Sequence, residues 1–170
     1  MHKTIFPRRM VLGCGNTLLG DDGFGPAVIR ALHNDRKLPA GVTCADVGTG
    51  IRDHLFNFLL APGLAPERLI IVDAVAGTDR EPGEVFLLRP PRPDDRAGGH
   101  DLSLHRGPGL AILQQLVAHT TIDIIAARPA RIPATVSPGL SPAMRNAVRR
   151  AAGLVLQLLS GPGPATEAGP

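Results

Sequence analysis

Apolar residues in this chain fall in short runs punctuated by glycine, proline and charge, and two periodicities alternate along it. Met10 to Cys14 (MVLGC) is a continuous apolar run closed by Gly15-Asn16, which predicts a buried strand feeding a loop. Phe24, Val28 and Leu32 then recur at helical spacing, and Pro26 suits a first turn, so an amphipathic helix is predicted near Gly25 to His33. The unit repeats: VTCADV (Val42 to Val47) reads as a strand, Gly48-Thr49-Gly50 as a turn, and Ile51, Leu55 and Leu59 as a helix.

LIIVDA (Leu69 to Ala74) is apolar at both alternating sets of positions, as a strand covered by helices on both faces must be, and is placed at the centre of the sheet. Pro82-Gly83 signals a turn, and EVFLLR (Glu84 to Arg89) follows too closely for a helical crossover, which predicts an antiparallel strand. Pro90 to His100 is polar and rich in breakers, and is expected to be a mobile surface loop. A helix is predicted from near His105 through Leu110, Leu113 and Val117, then a last strand, Thr121 to Ala127. Ser141-Pro142 is a cap and first turn, after which Met144, Val148, Ala151, Val155 and Leu158 trace one stripe until Gly161. These elements predict a three-layer α/β/α sandwich around a twisted, mostly parallel five-stranded sheet with one antiparallel strand. One domain over 1–160 and a disordered tail over 161–170 are expected.

Composition narrows the function classes. At 170 residues, 44% hydrophobic, the chain can bury one substantial core. A net charge of +3, from 18 basic and 15 acidic residues, is spread along the sequence, and Trp and Tyr are absent, so no nucleic-acid partner is expected. Apolar runs are interrupted before the roughly 18 residues a spanning helix needs, so no membrane partner is expected either. The N-terminal stretch lacks the features of a secretory signal, and a cytoplasmic location is expected. The two cysteines, Cys14 and Cys44, form no CxxC pair and are expected to be buried thiols.

Candidate chemistry sits at strand ends. The motif GCGNTLLGDDGFG (Gly13 to Gly25) resembles a dinucleotide fingerprint, but GxGxxG would need glycine in place of Leu18, and Asp21-Asp22 would repel a pyrophosphate. These carboxylates suit a cation; alternatively, either one caps the following helix. Asp73 follows four apolar residues at the end of the central strand, where it either belongs to a site or bonds loop amides and shapes the next turn. His105 in HDLSLH begins a helix and is either structural or a ligand, with His100 as its competitor. Two carboxylates and an imidazole would make a site with open positions, suited to nickel, zinc, cadmium or manganese. No HExxH helix, GxSxG elbow or recognisable Cys–His spacing is present, and no organic cofactor is expected.

From MVLGCGNTLLGDDGFG through DVGTG, LIIVDAVAG, PGEV and Ser103-Leu104-His105 to GLSPAM, the sequence resembles the [NiFe]-hydrogenase maturation endopeptidases. The resemblance implies a cytoplasmic, aspartic-type endopeptidase that removes the C-terminal extension of a hydrogenase large-subunit precursor after nickel insertion. It maps the metal-coordinating and catalytic positions to Asp22, Asp73 and His105, and substrate positioning to Asn16, Gly48, Thr49 and Gly50. The nickel is supplied by the substrate, and the partner is the nickel-loaded precursor. One alternative is a non-catalytic nickel-sensing chaperone that binds the same precursor; another is a nucleotide-binding module, prompted by Gly13 and Gly15.

Overall fold

The computed structural model describes residues 8–35, 37–90 and 109–161. Strands β1 (Arg9–Cys14), β2 (Val42–Gly48), β3 (Arg68–Ala74), β4 (Val85–Leu88) and β5 (Thr121–Ala127) form one sheet in the order β2-β1-β3-β5-β4. All neighbours run parallel except β4, which pairs antiparallel with β5. The predicted five-stranded sheet with one antiparallel strand, and the central position of LIIVDA, are both found.

Helices α1 (Phe24–His33), α2 (Ile51–Leu60), α3 (Gly109–Leu116) and α4 (Pro142–Ser160) cover the two faces. Strand alternation sends Ile70 and Val72 into one core with Val28 and Ile29 of α1 and Met144 and Val155 of α4. It sends Leu69 and Ile71 into a second core with Leu55 of α2 and Leu113 and Leu116 of α3. A strand buried on both faces is therefore apolar throughout, which is why β3 is legible as the centre.

The end of α4 nearest the sheet's functional rim is fixed by its own residues: the Ser141 hydroxyl accepts from Met144 N at 3.3 Å, and Pro142 occupies the first turn, as predicted. Two short 3₁₀ turns, Gly20–Gly23 and Pro62–Leu64, were not foreseen. Cys14 is buried, but Cys44 is only half-buried, against expectation. Its strand lies at the sheet edge, a position set by strand order that the local pattern of VTCADV does not encode. The predicted start of the third helix, the loop to His100 and the tail beyond Gly161 lie outside the described residues.

Candidate active site at the switch point of the sheet

The chain passes from β1 outward to β2, then returns across β1 to place β3 on its other side. In an open α/β sheet this reversal leaves a crevice beyond the carboxyl ends of the two strands that flank it, here β1 and β3. Cys14 closes β1 there, and Asp73 stands one residue before the end of β3.

The opening motif is shaped by contact with its own helix. A Cβ on Gly25 would lie 2.2 Å from Cys14 O and 2.5 Å from Val72 O, and one on Gly13 would lie 2.6 Å from Gly25 O. These glycines let α1 press its first turn directly onto β1 and β3. Gly15, at φ +129°, faces the Asp22 backbone so closely that a Cβ would lie 1.8 Å from Asp22 O. The glycine spacing is thus accounted for by helix-to-strand packing.

The two adjacent aspartates part company. Asp21 is buried; its Oδ2 accepts from Ala130 N (2.8 Å) and Arg131 N (3.0 Å), and its Oδ1 from Ser141 N (2.6 Å). It pins the opening loop to the β5–α4 connection. Asp22 accepts from Asn16 N through Oδ2 at 2.7 Å, and its Oδ1 has no hydrogen bond among the described residues, which leaves that oxygen for a ligand. Neither side chain caps α1, whose N-cap is Gly23. Replacing Asp21 by Ala strands three backbone donors, and we expect a loss of about 2–3 kcal/mol, or a Tm lower by roughly 5–10 °C. Asp21→Asn should recover part of it in a thermal melt, because one side-chain oxygen still accepts.

Asp73 is 2% exposed, and its Oδ1 accepts from Ala74 N at 2.8 Å, the turn-shaping bond weighed from sequence. It shares the α2/α3 face of β3 with Leu69 and Ile71. The Cys14 thiol reports how the acids are arranged. Burial above all, then the charges of Asp73, Asp46 and Asp22 in that order, push it well above its ordinary value. The charges of three carboxylates therefore act on the same end of β1. Among the described residues no group of three or more His, Cys, Asp or Glu is close enough to hold a metal ion, so these acids do not form a cage by themselves. His105 and His100 lie outside the described residues.

Asp46, which the sequence reading did not single out, belongs to this rim. Its Oδ1 accepts from Gly48 N at 3.0 Å, and it lines a cleft of about 260 Å³ with Gly15, Asn16, Thr17, Pro26, Gly48 and Thr49. The available signal was its place two residues before the Gly48 turn, at the carboxyl end of a strand beside β1. The cleft brings together Asn16, Gly48 and Thr49 from the expected positioning set; Gly50 stands behind them as N-cap of α2. Gly15 N donates to Gly48 O at 2.9 Å and fixes the two loops to each other.

Neither thiol is a nucleophile at neutral pH. Burial pushes Cys44 from an ordinary 9.0 to about 11, and Cys14 moves the same way. The unfolded chain releases these protons near pH 9 while the folded chain retains them, so stability is full below that pH and is lost as pH rises through the folded value. A denaturation series between pH 9 and 11 should show this decline for the native chain and a shallower one for Cys44→Ser.

The fold, an open α/β sheet flanked by helices, is shared with known proteins. The family model for hydrogenase maturation protease matches residues 26–158, and the chain belongs to that family of proteases. The coenzyme F420 hydrogenase subunit delta of Methanothermobacter thermautotrophicus is 34% identical over 151 residues, covering 86% of this chain and 91% of that one. The hydrogenase 2 maturation protease of Escherichia coli is 35% identical over 82 residues, covering 48% of this chain and 47% of that protein. The crystal structure of the [NiFe] hydrogenase maturation protease HycI from Thermococcus kodakarensis has the same fold, with a TM-score of 0.67, 22% identity and coverage of 93% and 96% of the two chains. No described helix is long and apolar enough to cross a membrane.

Proposed function

We propose that this endopeptidase removes the C-terminal extension of a [NiFe]-hydrogenase large-subunit precursor once nickel is in place, using Asp22, Asp73 and His105 to read the metal. The supporting observation is the gathering of Asp22 and Asp73 about the end of β1, in a chain that belongs to the hydrogenase maturation proteases. Asp22 keeps one oxygen unengaged among the described residues, as a ligand to an incoming ion must. Two carboxylates and one imidazole are an incomplete shell, so the nickel is the precursor's own, and its remaining ligands come with it. A precursor without nickel offers nothing to complete that shell, and cleavage becomes conditional on loading. The metal then polarises the scissile carbonyl or activates a water, with a carboxylate as base. Asn16, Gly48 and Thr49 form walls that hold the peptide, Gly50 supports them from the start of α2, and no organic cofactor takes part.

A second reading, a non-catalytic chaperone that senses nickel in the precursor, draws on the relative from Methanothermobacter thermautotrophicus, which is named as a hydrogenase subunit. Mass spectrometry of nickel-loaded precursor after incubation with the purified protein separates the two. A shortened precursor supports the peptidase; an intact mass in a stable complex supports the chaperone.

A further inference from the structure

Beside the cleft, the opening loop and the β5–α4 connection lie against each other as a seam. Leu19 and Ser137 form a parallel bridge; Ser137 N donates to Leu18 O at 2.8 Å, and Gly20 N to Ser137 O at 2.9 Å. Further along, Asp21 N meets Arg131 O at 3.3 Å. Asp21 ties both segments of the seam together through its three accepted bonds. Yet the seam exposes large aliphatic side chains: Leu18 is 51%, Ile132 41% and Val136 69% exposed. Exposed aliphatic residues set around a polar site mark a binding surface more often than scattered single ones do.

The seam continues directly into the candidate site. Leu18 N donates to the Asn16 side chain at 3.0 Å, and Asn16 N donates to Asp22. The β5–α4 side of the seam carries Arg128 and Arg131 and no Asp or Glu, while Asp21 and Asp22 of the opening loop accept from backbone amides. Arg131, at the seam itself, is exposed and has no carboxylate partner among the described residues.

We infer that this seam is the docking surface for the protein substrate, and that it takes a segment combining aliphatic with acidic side chains. Leu18, Ile132 and Val136 cover the aliphatic groups, and Arg131 faces the carboxylates. Continuity with Asn16 and Asp22 means that a segment lying on the seam leads its neighbouring residues into the cleft. The inference rests on the peptidase reading for the identity of the partner.

Steady-state cleavage of purified, nickel-loaded precursor tests it, with the Kd for that precursor measured alongside. Leu18→Asp and Val136→Asp should each raise KM and Kd by about fivefold or more while kcat stays within about twofold. For the native chain KM should climb as NaCl rises from about 50 to about 300 mM, and Arg131→Glu should raise KM at low salt and flatten that climb. Leu60→Asp, at a 68% exposed aliphatic position on α2, is the control and should change neither constant. Unchanged KM and Kd in the seam variants, or an Arg131→Glu variant with native salt dependence, would overturn the assignment. So would loss of a dimer in Val136→Asp with KM intact, which would give the surface to a second copy of this chain. Absence of cleavage by the native chain would sink the peptidase reading, while the seam would still be judged on Kd.

Discussion

Asp73→Asn and His105→Ala are expected to leave the precursor intact while the protein stays folded, with cleavage lowered by about 10²–10⁴-fold. For Asp73 the substitution is nearly isosteric: the side-chain oxygen that accepts from Ala74 N survives while the negative charge is lost. Stability should therefore change little, whereas a carboxylate that ligates a cation or accepts a proton fails once neutral. Asp123, fully buried in β5, is held by Arg68 at 2.7 Å and Arg89 at 2.9 Å toward the opposite end of the strands, and is structural. Asp123→Asn should reduce stability without a selective loss of cleavage. Native circular dichroism with uncut precursor is the expected signature for Asp73→Asn; full processing by both Asp73→Asn and His105→Ala would remove these residues from the mechanism.

Gly25→Ala is expected to have the largest effect on stability, about 3–5 kcal/mol, roughly a fifth or more of what a domain ordinarily possesses. The added carbon would stand 2.2 Å from Cys14 O and 2.5 Å from both Cys14 N and Val72 O, all backbone atoms of the two central strands. No rotamer relieves such contacts; α1 must lift away from the sheet. That shift would also move Gly15 and Asp22, so residual folded protein should cleave poorly. Gly153→Ala in α4 is the counterpart: a Cβ there meets nothing within 4 Å, and the helix should gain about 0.5–1 kcal/mol. Chemical denaturation of both variants reads these opposite signs directly; a Gly25→Ala protein of native stability would contradict the packing described here.

How far the sequence was legible depends on whether the cause was local. The run LIIVDA is apolar on both faces because two helical layers cover it, and the short link to EVFLLR leaves no room for a crossover, so the central place of LIIVDA and the antiparallel strand follow from the chain itself. Asp73 at the end of that strand is visible for the same reason. Asp21 was opaque: its partners Ala130, Arg131 and Ser141 are more than a hundred residues away, and the local alternative, a helix cap, is not what the folded chain uses. Asp46 and Cys44 share one cause of misreading. Both lie on β2, and the edge position that exposes Asp46 to the cleft and half-exposes Cys44 is decided by strand order. The glycines of the opening motif invited a nucleotide reading because phosphate cradles and close helix-to-strand contact both demand the absence of a Cβ; the distances about Gly13 and Gly25 account for them by the latter.

Cleavage should depend on a metal carried by the substrate. The most direct test is to incubate the native protein and Asp22→Ala with two preparations of the same precursor, nickel-loaded and nickel-free, and to follow precursor mass over time. The native protein should shorten only the loaded form, and Asp22→Ala should shorten neither. Equal trimming of both preparations by the native protein would contradict the account.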